Sequence, residues 1–290
     1  MQPFQDFEKP LDALVVEGGA MRGIFSAGVL DAFLSHGFNP FDLCVGVSAG
    51  ATNLASFLAG MYQRSYTVYT DYSLRPEFLS WYKFLAGGHL LDLDWLWDIT
   101  IKELRIDIPK LINSKQRFLI GVTGVVDGKS HQLVPTTENI EELLKASSSI
   151  PVLYRNHVCI DGQAYVDGGL ADPIPVETAY RHGARRILVI RSRKKDYAMS
   201  ANTPSLLYRH YLKDYPQLCR AALERPARYA EAIEFLRNPP PDVQVIEINP
   251  PDDFKTGRIT KNIQVLKADY HLGVEAGMEA MTKWRELLLC

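Results

Sequence analysis

The pentapeptide Gly46-Val47-Ser48-Ala49-Gly50 sets a serine among small residues, after an apolar run and before a helical pattern. G-x-S-x-G between strand and helix is the pattern of a nucleophile elbow, a sharp turn that lifts the hydroxyl clear of a sheet. The helix behind it offers unpaired N–H groups where negative charge develops on a substrate oxygen. A plain Ser/Gly turn is the simpler alternative. One strand–helix unit earlier, Glu17-Gly18-Gly19-Ala20-Met21-Arg22-Gly23 follows another apolar run. Glycines at such a junction bare backbone N–H groups and form an anion cradle. Gly18, Gly19 and Gly23 do not spell G-x-G-x-x-G, and no Walker lysine–serine pair follows. An oxyanion hole beside the serine therefore fits better than a phosphate loop.

A serine nucleophile needs a base. His182, His210 and His271 lie downstream, none in a distinctive local context, and His182 precedes Gly183 where a helix-ending histidine is ordinary. Asp167, in Tyr165-Val166-Asp167-Gly168-Gly169, ends a strand beside two glycines, and Asp172 follows closely. Residue type alone leaves these acids and histidines open. A turn-forming aspartate is the simpler reading of either acid.

The elements that must hold these groups alternate in kind. Residues 11–19 read as a buried strand, 23–37 as a helix, 41–50 as a strand entering a turn and 51–60 as a second helix. Two strands around one helix form a βαβ unit with parallel pairing. Both chemistry-bearing loops then leave the same carboxyl edge, where open α/β sheets build their sites. Residues 116–126 and 130–134 flank Asp127-Gly128, and residues 158–160 and 164–166 flank Asp161-Gly162, two hairpin signals. Residues 138–148 look helical with Thr137 as N-cap; 175–182 helical, 185–192 a strand and 243–250 another strand follow. Residues 203–236 read as helix interrupted at Pro216 and Pro226 and stopped by Pro239-Pro240-Pro241, and 261–288 as a closing helix. No internal repeat or linker stands out.

The chain has 290 residues, enough for one large core, with 47% hydrophobic residues and 23% charged. Its 32 basic and 34 acidic side chains leave a formal charge of −2, which gives no overall electrostatic case for nucleic acid. Cys44, Cys159, Cys219 and Cys290 are scattered without a C-x-x-C pair, so neither zinc spacing nor a disulfide framework is signalled. Without a leader pattern or an apolar run approaching 18 residues, the expectation is a cytoplasmic protein.

Together these motifs resemble the patatin-like phospholipase family. Gly18-Gly19-Ala20-Met21-Arg22-Gly23 matches that family's oxyanion loop, Ser48 its nucleophile, and Asp167-Gly168-Gly169 its dyad aspartate with the glycines after it. Ala146-Ser147-Ser148-Ser149-Ile150-Pro151 resembles its intervening A-S-x-x-x-P segment. Glu17 stands where aspartate is frequent and Ala20 where a third glycine is usual; at a positive φ that alanine would cost roughly 1 kcal/mol. The resemblance implies an α/β fold, a three-layer patatin-like sandwich with a mostly parallel central sheet flanked by helices. It implies one domain over 1–290, its motifs within about 11–175, with 176–290 completing the sheet and adding C-terminal helices. It further implies a serine esterase of the phospholipase A or lysophospholipase type. In that scheme a Ser48–Asp167 dyad cleaves carboxyl esters through an acyl-enzyme, and Gly18, Gly19, Ala20 and Gly23 form the oxyanion hole. No metal or other cofactor is required.

Two stretches bear on the substrate. Residues 78–97 hold Trp81, Trp95 and Trp97, three of the four tryptophans, among many leucines. They read either as an acyl-binding wall, as a transient membrane contact, or as the core of a small subdomain. Arg181, Arg185, Arg186, Arg191, Arg193, Lys194 and Lys195 would attract anionic head groups, or form a solvated strand end, the simpler account. The reading is a lipid acyl hydrolase, cytoplasmic and peripheral to the inner face of the membrane. Its rivals are a carboxylesterase or acyltransferase on small esters, and a non-catalytic lipid-binding protein.

Overall fold

A computed structural model describes residues 10–200 and 205–288. Eight strands form one sheet: β1 (Leu11–Val16), β2 (Leu43–Val47), β3 (Arg117–Gly124), β4 (Ser130–Leu133), β5 (Val158–Ile160), β6 (Gln163–Asp167), β7 (Ala184–Ile190) and β8 (Gln244–Ile248). Their order is β5-β6-β3-β2-β1-β7-β8, with β4 pairing separately to β3. The run β3-β2-β1-β7-β8 is parallel; β4 and β6 pair antiparallel to β3, and β5 antiparallel to β6. Both expected hairpins and the expected βαβ unit are present.

The helices are α1 (Gly23–Ser35), α2 (Ala49–Leu58), α3 (Arg64–Thr70), α4 (Trp81–Leu85), α5 (Leu93–Glu103), α6 (Ile108–Ile112), α7 (Ile140–Ser148), α8 (Val176–Arg181), α9 (Ser205–Tyr211), α10 (Pro216–Arg237) and α11 (Ile263–Leu287). Alternate residues of β1 serve opposite faces of the sheet. Leu14 and Val16 enter a core with side chains from α1, α2, α7 and α11, whereas Ala13 and Val15 meet α8 and α10. Burial on both sides is why the parallel strands read as continuous apolar runs. The result is three layers. α1 and α11 pack almost backbone to backbone: a Cβ on Gly28 would lie 2.2 Å from the Tyr270 carbonyl, and one on Gly273 would lie 2.2 Å from that of Phe25.

Three local expectations change. The N-cap of α7 is Asn139 rather than Thr137, and its side chain accepts from the Thr136 N–H. Pro226 lies inside α10 and does not interrupt it. The hydrogen bond it forfeits is outweighed by burial of Leu218, Ala221, Ala222 and Tyr229 along the same helix. Third, the stretch between α2 and β3 is helical where the pattern was irregular: α5 is capped by Asp92, whose carboxylate accepts from Trp95 N–H at 3.1 Å. The expected helix start at Thr203 lies outside the described residues, as does Cys290.

Candidate active site

Strand register builds the site. Val47 of β2 pairs with Gly121 of β3, and Val122 pairs with Asp167 of β6, so Ser48 and Asp167 emerge at one end of adjacent strands. Close packing needs glycine at position 168, where a Cβ would lie 2.2 Å from the Gly121 carbonyl and 2.7 Å from Val47 Cγ1. Ser48 itself is held at φ 54° and ψ −130°, a conformation that costs a non-glycine residue of order 1–3 kcal/mol. The surroundings enforce it. Ser48 N–H donates to Ser147 Oγ at 2.7 Å, and Ser147 Oγ–H donates to the Gly121 carbonyl at 2.7 Å. That clamp is the role of the A-S-x-x-x-P serine here, and it occupies the Ser48 N–H.

Asp167 is buried. Its N–H donates to the Ser149 carbonyl at 3.1 Å, its carbonyl accepts from Thr123 Oγ1 at 2.8 Å, and Oδ1 accepts from Gly169 N–H at 2.8 Å. Oδ2 is buried with no hydrogen-bond partner. Burial pushes this carboxyl above the ordinary aspartate range, while the adjacent Ser48 hydroxyl, Arg225, Gly169 N–H and Arg258 pull it back. The Ser48 hydroxyl thus stands near enough to act on the carboxyl without closing a hydrogen bond to Oδ2. Asp172 is spoken for: Thr178 Oγ1 donates to it at 2.8 Å and Gln132 Nε2 at 3.4 Å. His182 Nδ1 lies 2.8 Å from the Thr178 carbonyl, and His210 and His271 point to exposed helix faces. No histidine lines the pocket in front of Ser48 among the described residues.

The glycine-rich loop folds over the serine, since a Cβ on Gly18 would lie 2.8 Å from Ser48 Cβ. Among the described residues, the N–H groups of Gly18, Gly19 and Ala20 donate to nothing. Ala20 has φ 50°, the positive value at which a third glycine would be cheaper. Gly23 stands apart from this set: its N–H is taken by the carbonyls of Ala20 and Met21, and its missing Cβ makes room for Tyr69.

Glu17 anchors the loop from below. Its Oε2 accepts from Arg191 Nε at 3.1 Å and from Ser192 N–H at 2.7 Å, and Tyr229 Oη lies 3.3 Å from Oε1. Arg191, 0% exposed, also pairs with Glu247 and donates to Tyr229 Oη at 2.7 Å, while Ser192 Oγ donates to the Gly18 carbonyl at 2.8 Å. The basic run thus dissolves into separate partnerships. Arg181 pairs with Glu177, Arg185 with Asp242 and Arg186 with Asp12; Lys194 donates to the Asp252 carbonyl, and the Arg193 guanidinium stacks on Tyr197.

The pocket that Ser48 opens onto is largely apolar, with Met21, Tyr69, Phe78, Leu91, Leu96 and Trp97 in its wall. Residues 78–97 therefore contribute a wall and a small core at once, for Tyr72, Leu79, Leu90, Leu93 and Tyr154 pack behind it. Of the three tryptophans singled out, Trp97 lines the pocket and donates its Nε1–H to the Glu141 carbonyl at 2.9 Å. Trp95 packs half-buried in the small core, and Trp81, 55% exposed, projects from α4 away from the pocket lining.

Residues 14–180, more than half of the chain, match the family described as "Patatin-like phospholipase", and residues 215–289 match a "Domain of unknown function". The chain belongs to the patatin-like phospholipase family. It is similar to "Uncharacterized protein YjjU" of Escherichia coli, 35% identical over 268 residues that make up 90% of this chain and 74% of that protein. It is also similar to "Lysophospholipase NTE1" of Debaryomyces hansenii, 24% identical over 303 residues; the match takes in 94% of this chain but only 18% of that much longer protein. Among solved structures, human GIVD cytosolic phospholipase A2 aligns with a TM-score of 0.49 and 10% identity, covering 97% of this chain and 63% of that one. VipD from Legionella pneumophila aligns with a TM-score of 0.47 and 14% identity, covering 95% and 67%. Among the described residues no helix is long and apolar enough to cross a membrane, and no group of metal-ligating side chains converges.

Proposed function

We propose that the protein is a lipid acyl hydrolase of the phospholipase A or lysophospholipase type, working through Ser48 and Asp167. The observation that carries this reading is the strained Ser48 facing an apolar pocket with one unpartnered, buried carboxylate oxygen beside it and no histidine. Asp167 Oδ2 takes the Ser48 proton as Oγ attacks the ester carbonyl, and the raised carboxyl pKa makes this aspartate a better base than one in water. The N–H groups of Gly18, Gly19 and Ala20 receive the developing oxyanion, and the Ser48 N–H, held by Ser147, takes no part. The acyl chain lies along Phe78, Leu91, Leu96 and Trp97. Asp167 then activates the water that releases the acid. The family and the lysophospholipase relatives support a lipid ester over a small one, and the absence of a spanning helix suits a cytoplasmic protein that meets the membrane at its surface.

The test is covalent labelling of Ser48 with a fluorophosphonate, together with p-nitrophenyl esters of increasing chain length below their micellar concentrations. Labelling is expected in the native protein and absent in Ser48→Ala; Asp167→Asn should lower turnover by roughly 10²–10⁴-fold with an unchanged melting temperature. A kcat/KM that rises with chain length supports the acyl pocket, since each buried CH₂ is worth about 0.8 kcal/mol. A flat profile would hand the reading to a small-ester carboxylesterase, and no labelling at all to a non-catalytic lipid-binding protein.

A further inference from the structure

Three arginines reach the mouth of this site and none has an acidic partner. Arg258 lines the pocket together with Ser48, and its backbone carbonyl accepts from Met21 N–H at 3.3 Å. Arg22, the next residue, is only 6% exposed, and its buried Nε has no hydrogen-bond partner. Arg225, from α10, donates Nε–H to the Gly169 carbonyl at 2.6 Å, two residues beyond Asp167, and one of its Nη groups lies 3.6 Å from where a Gly169 Cβ would be. Among the described residues the guanidinium groups of Arg22 and Arg258 donate to no protein acceptor, and none of the three forms an ion pair.

This is not how the chain treats arginine elsewhere. Arg75, Arg105, Arg181, Arg185, Arg186, Arg191, Arg220 and Arg228 are all paired with carboxylates. At the mouth, Arg22, Arg225 and Arg258 weaken one another's charge, as does nearby Arg193. The acids within reach do not compensate them. Glu17 is already engaged by Arg191, Ser192 and Tyr229, and Asp167 is held toward its neutral form by burial. Like charges gathered at partly buried positions without counter-ions are costly unless an anion completes them.

We propose that Arg225 and Arg258, with Arg22, form a binding site for the phosphate group of an anionic lipid whose ester lies at Ser48. Resting on the reading of Ser48 as nucleophile, this assigns the substrate as a phosphate-bearing acyl glycerol. Guanidinium forks match phosphate oxygens two at a time, and forks from different elements suit a tetrahedral anion. In an acyl glycerophosphate the phosphate is a few bonds from the ester, so one molecule spans both places. Arg225 and Arg258 lie within residues 215–289, outside the patatin match, so the second segment supplies the head-group contacts.

The test is equilibrium binding to the Ser48→Ala protein of 1-oleoyl lysophosphatidate and of monooleoylglycerol, which differ only by the phosphate, in neutral detergent. Lysophosphatidate should bind about 10–100-fold more tightly, the range for a hydrogen-bonded charge. Arg258→Met should erase most of that difference while moving monooleoylglycerol little; Arg225→Lys, which keeps the charge but loses the fork, should erase part of it. Inorganic phosphate is the third probe. Displacement of lysophosphatidate only at far higher concentrations marks a lipid phosphate, whereas equal binding of free phosphate would overturn the lipid assignment. Equal affinities for the two lipids, or an Arg258→Met protein that loses both alike, would overturn the site itself. Because binding is read without turnover, a native protein that hydrolyses neither lipid would defeat the nucleophile reading and leave this result standing separately.

Discussion

The floor and the mouth of the site use arginine in opposite ways. Beneath the glycine-rich loop, Arg191 is enclosed by Glu17, Glu247 and Tyr229, and every one of its nitrogens has a partner. Above the loop, Arg22 and Arg258 have none, and Arg225 spends only Nε, on a carbonyl. A satisfied network fixes geometry, and a row of unsatisfied donors waits for something to bind. The loop between them inherits both: its carbonyl at Gly18 is tied down to Ser192, while the N–H groups of Gly18, Gly19 and Ala20 stay unspent.

The largest effect that would separate floor from mouth is on stability. Arg191→Met leaves Glu17 and Glu247 buried without their cation, and breaking such a network from one side costs about 3–5 kcal/mol. For a chain of this size the melting temperature should fall by on the order of 10 °C. Arg258→Met removes no hydrogen bond and should melt with the native protein. Thermal denaturation of both variants at one pH decides the matter; equal melting points would erase the contrast between floor and mouth.

That contrast was only half legible in the sequence. Ser48, the glycine-rich loop and Asp167 could be found because each motif is local: small residues must flank an elbow, and Gly168 must allow the close approach of β3. The choice of Asp167 over Asp172 needed the resemblance, because what separates them is contact across the fold, with Thr178 and Gln132 holding Asp172. The floor was not legible. Arg191 sits in a basic run that looks solvated, and Glu17, its partner, is 174 residues away. Only pairing of β1 with β7 brings them together. Glu17 in place of the frequent aspartate did carry a signal, since the longer side chain is the one that spans to Arg191 and Ser192. The tryptophans mislead for a related reason. An aromatic stretch shows where apolar mass lies and not which face meets the pocket, so Trp97 lines it while Trp81 points to solvent.

A smaller effect tests strain in the two loops. Ser48 and Ala20 both hold positive φ, at 54° and 50°. Glycine adopts either conformation freely, so each substitution should stabilise the fold by about 1 kcal/mol. Their consequences for activity differ. Ser48→Gly should gain stability and lose turnover, and Ser48→Ala should lose turnover with no gain, because alanine keeps the Cβ that makes the conformation costly. Ala20→Gly should gain stability and keep turnover, since the unspent N–H remains. Denaturant midpoints for the three variants read this directly. A Ser48→Gly protein less stable than the native one would mean that the elbow is not strained.

The smallest expected effect links mouth to mechanism through pH. If Asp167 is the base, kcat/KM for a neutral ester needs its ionised form and falls as pH drops through the carboxyl pKa. Burial raises that pKa, so the acidic limb should lie above the ordinary aspartate range. Arg225 and Arg258 favour the ionised form and lower it. Removing the positive charge in Arg258→Met therefore lets the pKa rise further, and the acidic limb should move to higher pH with the plateau rate little changed. Arg258→Lys should leave the limb nearly where it is, because the charge remains. Added salt should move the native limb in the same direction as Arg258→Met, since screening weakens the contribution of a half-exposed guanidinium. A merely structural arginine would change the plateau and not the limb. A limb unmoved by both Arg258→Met and Asp167→Asn would assign the base to another group, and the unpaired arginines would then bear on binding alone.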